Sequence, residues 1–85
     1  MRIKEVYPRP NWVLSVIAED SRVGNFDVSP YLELEVFTEL KNIAEFDKIS
    51  NGGYFVEWEC GADLSADTIE AHWNVLGSRE IEHKA

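Results

Sequence analysis

A chain of 85 residues has room for one core, and 45% hydrophobic and 12% aromatic residues, three Trp among them, are enough to build it without staples. Cys60 is the only cysteine, which excludes an intrachain disulfide framework and fits a reducing compartment. Eight Lys and Arg against 16 Asp and Glu give a net charge of −8, a surface that repels phosphate backbones and either attracts basic partners or simply keeps the protein soluble.

The charge is unevenly spread. Arg2, Lys4 and Arg9 against Glu5 make residues 1–18 +2, leaving −10 for the remainder. Met1-Arg2-Ile3-Lys4-Glu5 is charged at once and carries no signal-peptide h-region. Trp12-Val13-Leu14 and Val16-Ile17-Ala18 are the longest apolar stretches, far short of a membrane span. The expected setting is cytoplasmic, without a membrane.

Ile3 to Tyr7 reads as a short strand, ended by Pro8-Arg9-Pro10-Asn11, where two prolines forbid helix and favour a turn. Trp12 to Ala18 is apolar on both faces and rich in β-branched residues, the pattern of a central strand. Glu19-Asp20-Ser21 turns into a third strand, Arg22 to Val28, in which Gly24 marks a bulge or a close approach. These three strands predict an antiparallel meander. After Ser29-Pro30 the pattern is ambiguous. Leu32, Leu34 and Val36 alternate like a strand, whereas Leu32, Val36, Phe37 and Leu40 fit a helix; Ser29 or Pro30 as a start and Lys41-Asn42 as an end favour a short helical segment. Phe46 to Ser50 and Tyr54 to Cys60 flank Asn51-Gly52-Gly53 as a β-hairpin, with Tyr54, Val56, Trp58 and Cys60 on one face and Phe55, Glu57 and Glu59 on the other. Ser65 caps a C-terminal helix, Asp67 suits its positive end, and Leu64 with Ile69 has staple spacing. Ile69, Trp73 and Leu76 form its apolar stripe and Gly77 its stop. The expectation is one α+β domain over residues 1–77 with the helix packed on the sheet, followed by a polar tail, 78–85, that frays.

The run from Gly53 to Ile69 resembles the signature of a small bacterial family known as domain of unknown function two-four-four-two: a glycine hairpin, then W-x-x-G-x-D-L-S-x-D and an aliphatic residue. Here that signature is Trp58, Gly61, Asp63, Leu64, Ser65, Asp67 and Ile69. Val36-Phe37-x-x-Leu40 before Phe46, and Asp27-x-x-Pro30, are similar to the family's upstream pattern, so the resemblance spans residues 3 to 73. Glu19-Asp20-Ser21 departs from it where the turn usually ends in glycine. The resemblance implies an α+β fold and no established catalytic activity. Family members are often encoded beside a second small protein and are sometimes fused to a helix-turn-helix domain, which implies a toxin–antitoxin or transcriptional setting; with one well-marked helix, this chain has no such DNA-binding unit of its own.

Candidate chemistry is sparse. Asp63 and Asp67 flank a helix start and, with Glu59 or His72, raise the question of a metal; no tight ligand spacing supports one, and Asp63 reads as holding the Gly61 turn with Asp67 serving the helix dipole. Glu57 and Glu59 share a strand face, but a general acid needs a desolvated pocket and theirs faces solvent. Cys60 reads as a small core residue, since nothing in the sequence brings His72 to it. Trp58 and Trp73 read as core; Trp12, after the proline turn, is either a buried anchor or an exposed contact. No phosphate loop, zinc spacing or nucleophile motif is present, so neither enzyme chemistry nor a cofactor is expected. Arg2, Lys4 and Arg9 are too few in so acidic a chain for direct nucleic-acid binding. The expected function is a non-catalytic module, antitoxin-like or regulatory, binding a small basic protein through Phe55, Glu57, Glu59 and Trp12. The alternative is a self-associating structural domain, with an enzyme using acidic residues third.

Overall fold

The computed structural model describes residues 1–78, and in it the chain is α+β, with two antiparallel sheets and a few short helices. Strands β1 (Ile3–Arg9), β2 (Val13–Ala18) and β3 (Arg22–Asp27) follow one another as antiparallel neighbours. Leu14, Val16 and Ala18 of the central strand are fully buried, and Ile17 on its other face is 5% exposed. The connection from β1 to β2 is a 3₁₀ turn, Pro10–Trp12, in which Asn11 and Trp12 both take left-handed φ, 65° and 59°. The Trp12 carbonyl accepts from Val28 N, and its indole Nε1 donates to Leu40 O at 2.6 Å.

The segment 31–41 is helical, but as 3₁₀ turns at Ser29–Tyr31 and Glu35–Lys41. Its buried residues are Leu32, Phe37 and Leu40, while Val36, counted in the expected helix stripe, is 68% exposed. Positions i and i+3 eclipse on a 3₁₀ helix, so Phe37 and Leu40 share the inward face and Val36 is turned away. A single turn, α1 (Ile43–Phe46), follows, with Asn42 Oδ1 accepting from Ala44 N. Phe46, expected to begin a hairpin strand, therefore closes a helix.

Strands β4 (Ile49–Asn51), β5 (Phe55–Trp58) and β6 (Asp63–Ser65) form the second sheet. Asn51-Gly52 is not its loop. Asn51 pairs with Val56 and Gly52 N donates to Phe55 O, which leaves Gly53 and Tyr54 as the loop residues, Gly53 at φ 86°. Asn51 works instead through its side chain: Oδ1 accepts from Gly53 N, and Nδ2 donates to Ile3 O. Ile3 N donates in turn to Gly53 O, so the two sheets are joined where the hairpin tip meets β1.

Helix α2 (Ala66–His72) starts as expected, with Ser65 Oγ accepting from Thr68 N and with Leu64 and Ile69 buried in the same core cluster. Its end does not. Trp73 is extended (φ −78°, ψ 161°), and β7 (Asn74–Ser78) pairs antiparallel with β3, completing a four-stranded sheet in the order β1-β2-β3-β7. Leu76 is thus a strand residue, 61% exposed, rather than part of a helix stripe. The free backbone groups of β3 need partners, and pairing them outweighs about one further helical turn. Gly24 sits beside an irregularity in the β3–β7 register, and a Cβ built on it would meet the Trp73 ring at 2.7 Å. Trp73 itself is half-buried against the core rather than inside it. Ser78, assigned to the tail, closes β7; residues 79–85 lie outside the described part of the chain.

The core is one cluster shared by both sheets and the helices. Trp58, 1% exposed, is its centre: it stacks on Phe46 (6.0 Å between centroids), meets Phe37 edge-on at 6.3 Å, and donates Nε1–H to Phe46 O at 2.9 Å.

Candidate functional site

Strand pairing places opposite residues on the same face of a sheet. In the second sheet Val56 and Trp58 point into the core, so the alternate positions of β5 point outward. The outward rows follow from the register: Ser50, Glu57 and Asp63 lie side by side, and Phe55 lies beside Ser65. Phe55 is 41% exposed, and its ring covers Gly52, where a Cβ would come within 2.4–2.8 Å of ring atoms. Glycine just after β4 therefore leaves room for the aromatic ring to pack against the backbone.

Glu57 and Asp63 face each other across the β5–β6 ladder, an arrangement that like charges disfavour. Among the described residues neither makes an ion pair. The nearby cation is already engaged: Lys48 Nζ lies 3.2 Å from Glu45 and 4.0 Å from Glu59, and its hydrogen bond to Glu45 holds its pKa above the usual lysine value. Lys48, Ser50, Glu57, Trp58 and Glu59 are among the residues lining an open depression of about 550 Å³. Phe55 lies on the same outward side of β5 as Glu57, next to these carboxylates and outside the lining of the depression.

The remaining singled-out residues are scattered. Trp12 is half-buried with its indole N–H bonded inside the fold. Cys60 packs on the core beyond β5, whereas His72 lines a second depression of about 400 Å³ with Phe26, Asp27, Pro30, Tyr31 and Leu34. Asp27 is occupied there, accepting from Ser29 N and Oγ. The Gly61 turn is closed by backbone bonds, Gly61 N to Trp58 O and Trp58 N to Ala62 O, and not by Asp63, which is exposed on β6. Asp67 is 94% exposed in the first turn of α2. Among the described residues no three His, Cys, Asp or Glu converge as a metal would require. Phe55, Glu57 and Glu59 are exposed, as their alternation implies, whereas Asp63 comes beside Glu57 only through strand register, which is not written in residue spacing. Asp27 and His72, far apart in the chain, line one depression, which no residue spacing signals.

A further polar cluster serves the fold. Glu70 on α2 accepts from the Met1 amine at 2.8 Å and from Arg22 Nη2 at 2.8 Å, and Arg22 also holds Asp20 and lies over the Trp73 ring. The amine and then the guanidinium hold the Glu70 carboxyl below the ordinary range.

These features define a class: an acidic α+β module whose two antiparallel sheets share one core, with a carboxylate-rimmed aromatic on the outer face of the smaller sheet. The chain belongs to the family described as protein of unknown function (DUF2442), whose profile matches residues 3–74. No curated protein and no solved structure matches it significantly. Among the described residues no helix is long and apolar enough to cross a membrane.

Proposed function

We propose that this chain is a non-catalytic protein-binding module, antitoxin-like or regulatory, and that it holds a small basic protein against the outer face of the β4-β5-β6 sheet. The observation that carries the reading is Phe55: a large apolar side chain 41% exposed, seated on Gly52, and neighboured on its own face by the carboxylates Glu57 and Asp63, which make no ion pair among the described residues. A large, partly exposed aromatic with carboxylates along one side is the anatomy of an interface anchor beside a charged rim. The rim carboxylates steer a basic partner, and the ring, once covered, sets how long it stays. Binding a cation beside Glu57 and Asp63 also relieves a repulsion that folding leaves in place.

The test uses the tagged chain as bait in native extract, alongside Phe55→Ala and the double reversal Glu57→Lys/Glu59→Lys. The expected result is a small basic protein retained by the wild type and lost by both variants. The same proteins retained equally by all three baits would sink the reading.

A further inference from the structure

The edges of the two sheets are protected unequally. Strand β1 carries Lys4, Glu5, Pro8 and Arg9, charges and a proline that discourage a further strand, and its beginning is covered by the β4 hairpin. Strands β4 and β6 are three residues each. Strand β7 is different: Asn74-Val75-Leu76-Gly77-Ser78 holds no charge and no proline, and among the described residues nothing pairs with its outer edge. Val75 and Leu76, adjacent in sequence, are 47% and 61% exposed. Alternation would bury one of them. The register explains why it does not: Val23 pairs with Gly77 and Gly24 with Val75, so Leu76 is an extra residue with no partner on β3.

We infer that β7 is a homodimer edge, pairing antiparallel with β7 of a second copy about a two-fold axis at Leu76. The occupant follows from charge and shape. Copies of a chain at −8 repel, so a self-association surface must avoid carboxylates, and β7 has none. In the register centred on Leu76, Leu76 meets its own counterpart and Val75 falls opposite Gly77 of the partner subunit. Among the described residues, a Cβ built on Gly77 would find nothing within 4 Å apart from its chain neighbours, which leaves space where the partner's Val75 arrives. The same patch on both copies closes the assembly as a dimer, joining four strands from each copy into one continuous sheet. The bulge keeps the paired stretch short, so the dimer is weak and concentration-dependent.

This inference does not rest on the outer face of the second sheet, and salt separates the two. Screening weakens capture of a basic partner, whereas it tightens a dimer of two acidic chains. Sedimentation of the full chain over a concentration series should show a monomer–dimer equilibrium that shifts towards dimer as salt rises. Leu76→Lys should leave a monomer with an unchanged melting curve, because the residue it replaces is exposed, while Phe55→Ala should dimerise like the wild type. In a Cys60→Ser background, Leu76→Cys should oxidise to a covalent dimer, since residues facing each other across a ladder lie within disulfide reach, whereas Val36→Cys should not. A monomer at every concentration and salt, or dimerisation unaffected by Leu76→Lys, overturns the inference.

Discussion

Among the described residues three non-glycine positions hold a left-handed backbone, Asn11, Trp12 and Ser21, and each has a different reason. Asparagine tolerates it, but a bulky residue such as Trp does not. Trp12 stays there because its indole is bonded to Leu40 O and packed on the core, so tertiary contacts offset the local cost. Ser21, at φ 76°, ends the β2–β3 turn closed by Ser21 N to Ala18 O, the place where glycine would sit without strain. Trp58 lies at the opposite extreme. It is the largest fully buried side chain and also donates a hydrogen bond to Phe46 O, so Trp58→Ala should cost about 3–5 kcal/mol, enough to unfold a domain of this size. Trp73→Ala, at a half-buried position, should melt at a higher temperature than Trp58→Ala; equal melting curves would show that the core is not centred where these contacts put it.

At the scale of elements, the junction of α2 and β7 depends on Gly24. A methyl group there would meet Trp73 ring atoms at 2.7 and 2.9 Å and Asn74 O at 2.9 Å, and the backbone atom cannot swing aside. Gly24→Ala should cost about 1–3 kcal/mol by overpacking, with amide exchange in β7 accelerating more than in β2. The same junction is held by Glu70, whose folded pKa is depressed by the Met1 amine and Arg22. A depressed carboxyl contributes stability that is complete above its unfolded pKa and is lost as pH falls through the folded value. Acid unfolding of the wild type should thus show a limb below the ordinary carboxylate range that Glu70→Gln flattens, while stability at neutral pH falls for that variant. An unchanged acid limb would mean that Glu70 exchanges these partners for water.

For the whole molecule, charge sets behaviour more than shape does. With 16 acidic residues, the field felt by an approaching protein is negative, and Glu57 and Glu59 place part of it beside Phe55. Glu57→Lys/Glu59→Lys should slow association with a basic partner by about tenfold at low salt and much less at high salt. Phe55→Ala should leave the association rate nearly unchanged and speed dissociation, as removal of a central anchor does. Stopped-flow binding at two ionic strengths separates these effects; rates indifferent to salt and to the reversal would leave solubility as the sole role of the acid.

Local patterns alone determined much of this protein. The apolar two-faced run from Leu14 to Ala18 marked the central strand, Ser65 with Asp67 marked the helix start, and Phe55, Glu57 and Glu59 were legible as an outward face from strict alternation. Those signals are local because each depends on neighbours within a turn or a strand. What failed depended on pairing. Trp73 and Leu76 have helical spacing, yet the open edge of β3 drew residues 74–78 into a strand. Asn51-Gly52 announced a hairpin but not its loop, because Asn51 was needed to tie Gly53 to Ile3. Asp63 became Glu57's neighbour only through strand register. Backbone groups must be satisfied somewhere, and which partner satisfies them is settled by residues far apart in the chain, so the tertiary structure alone decided the sheet edges, and with them the surfaces open to other molecules.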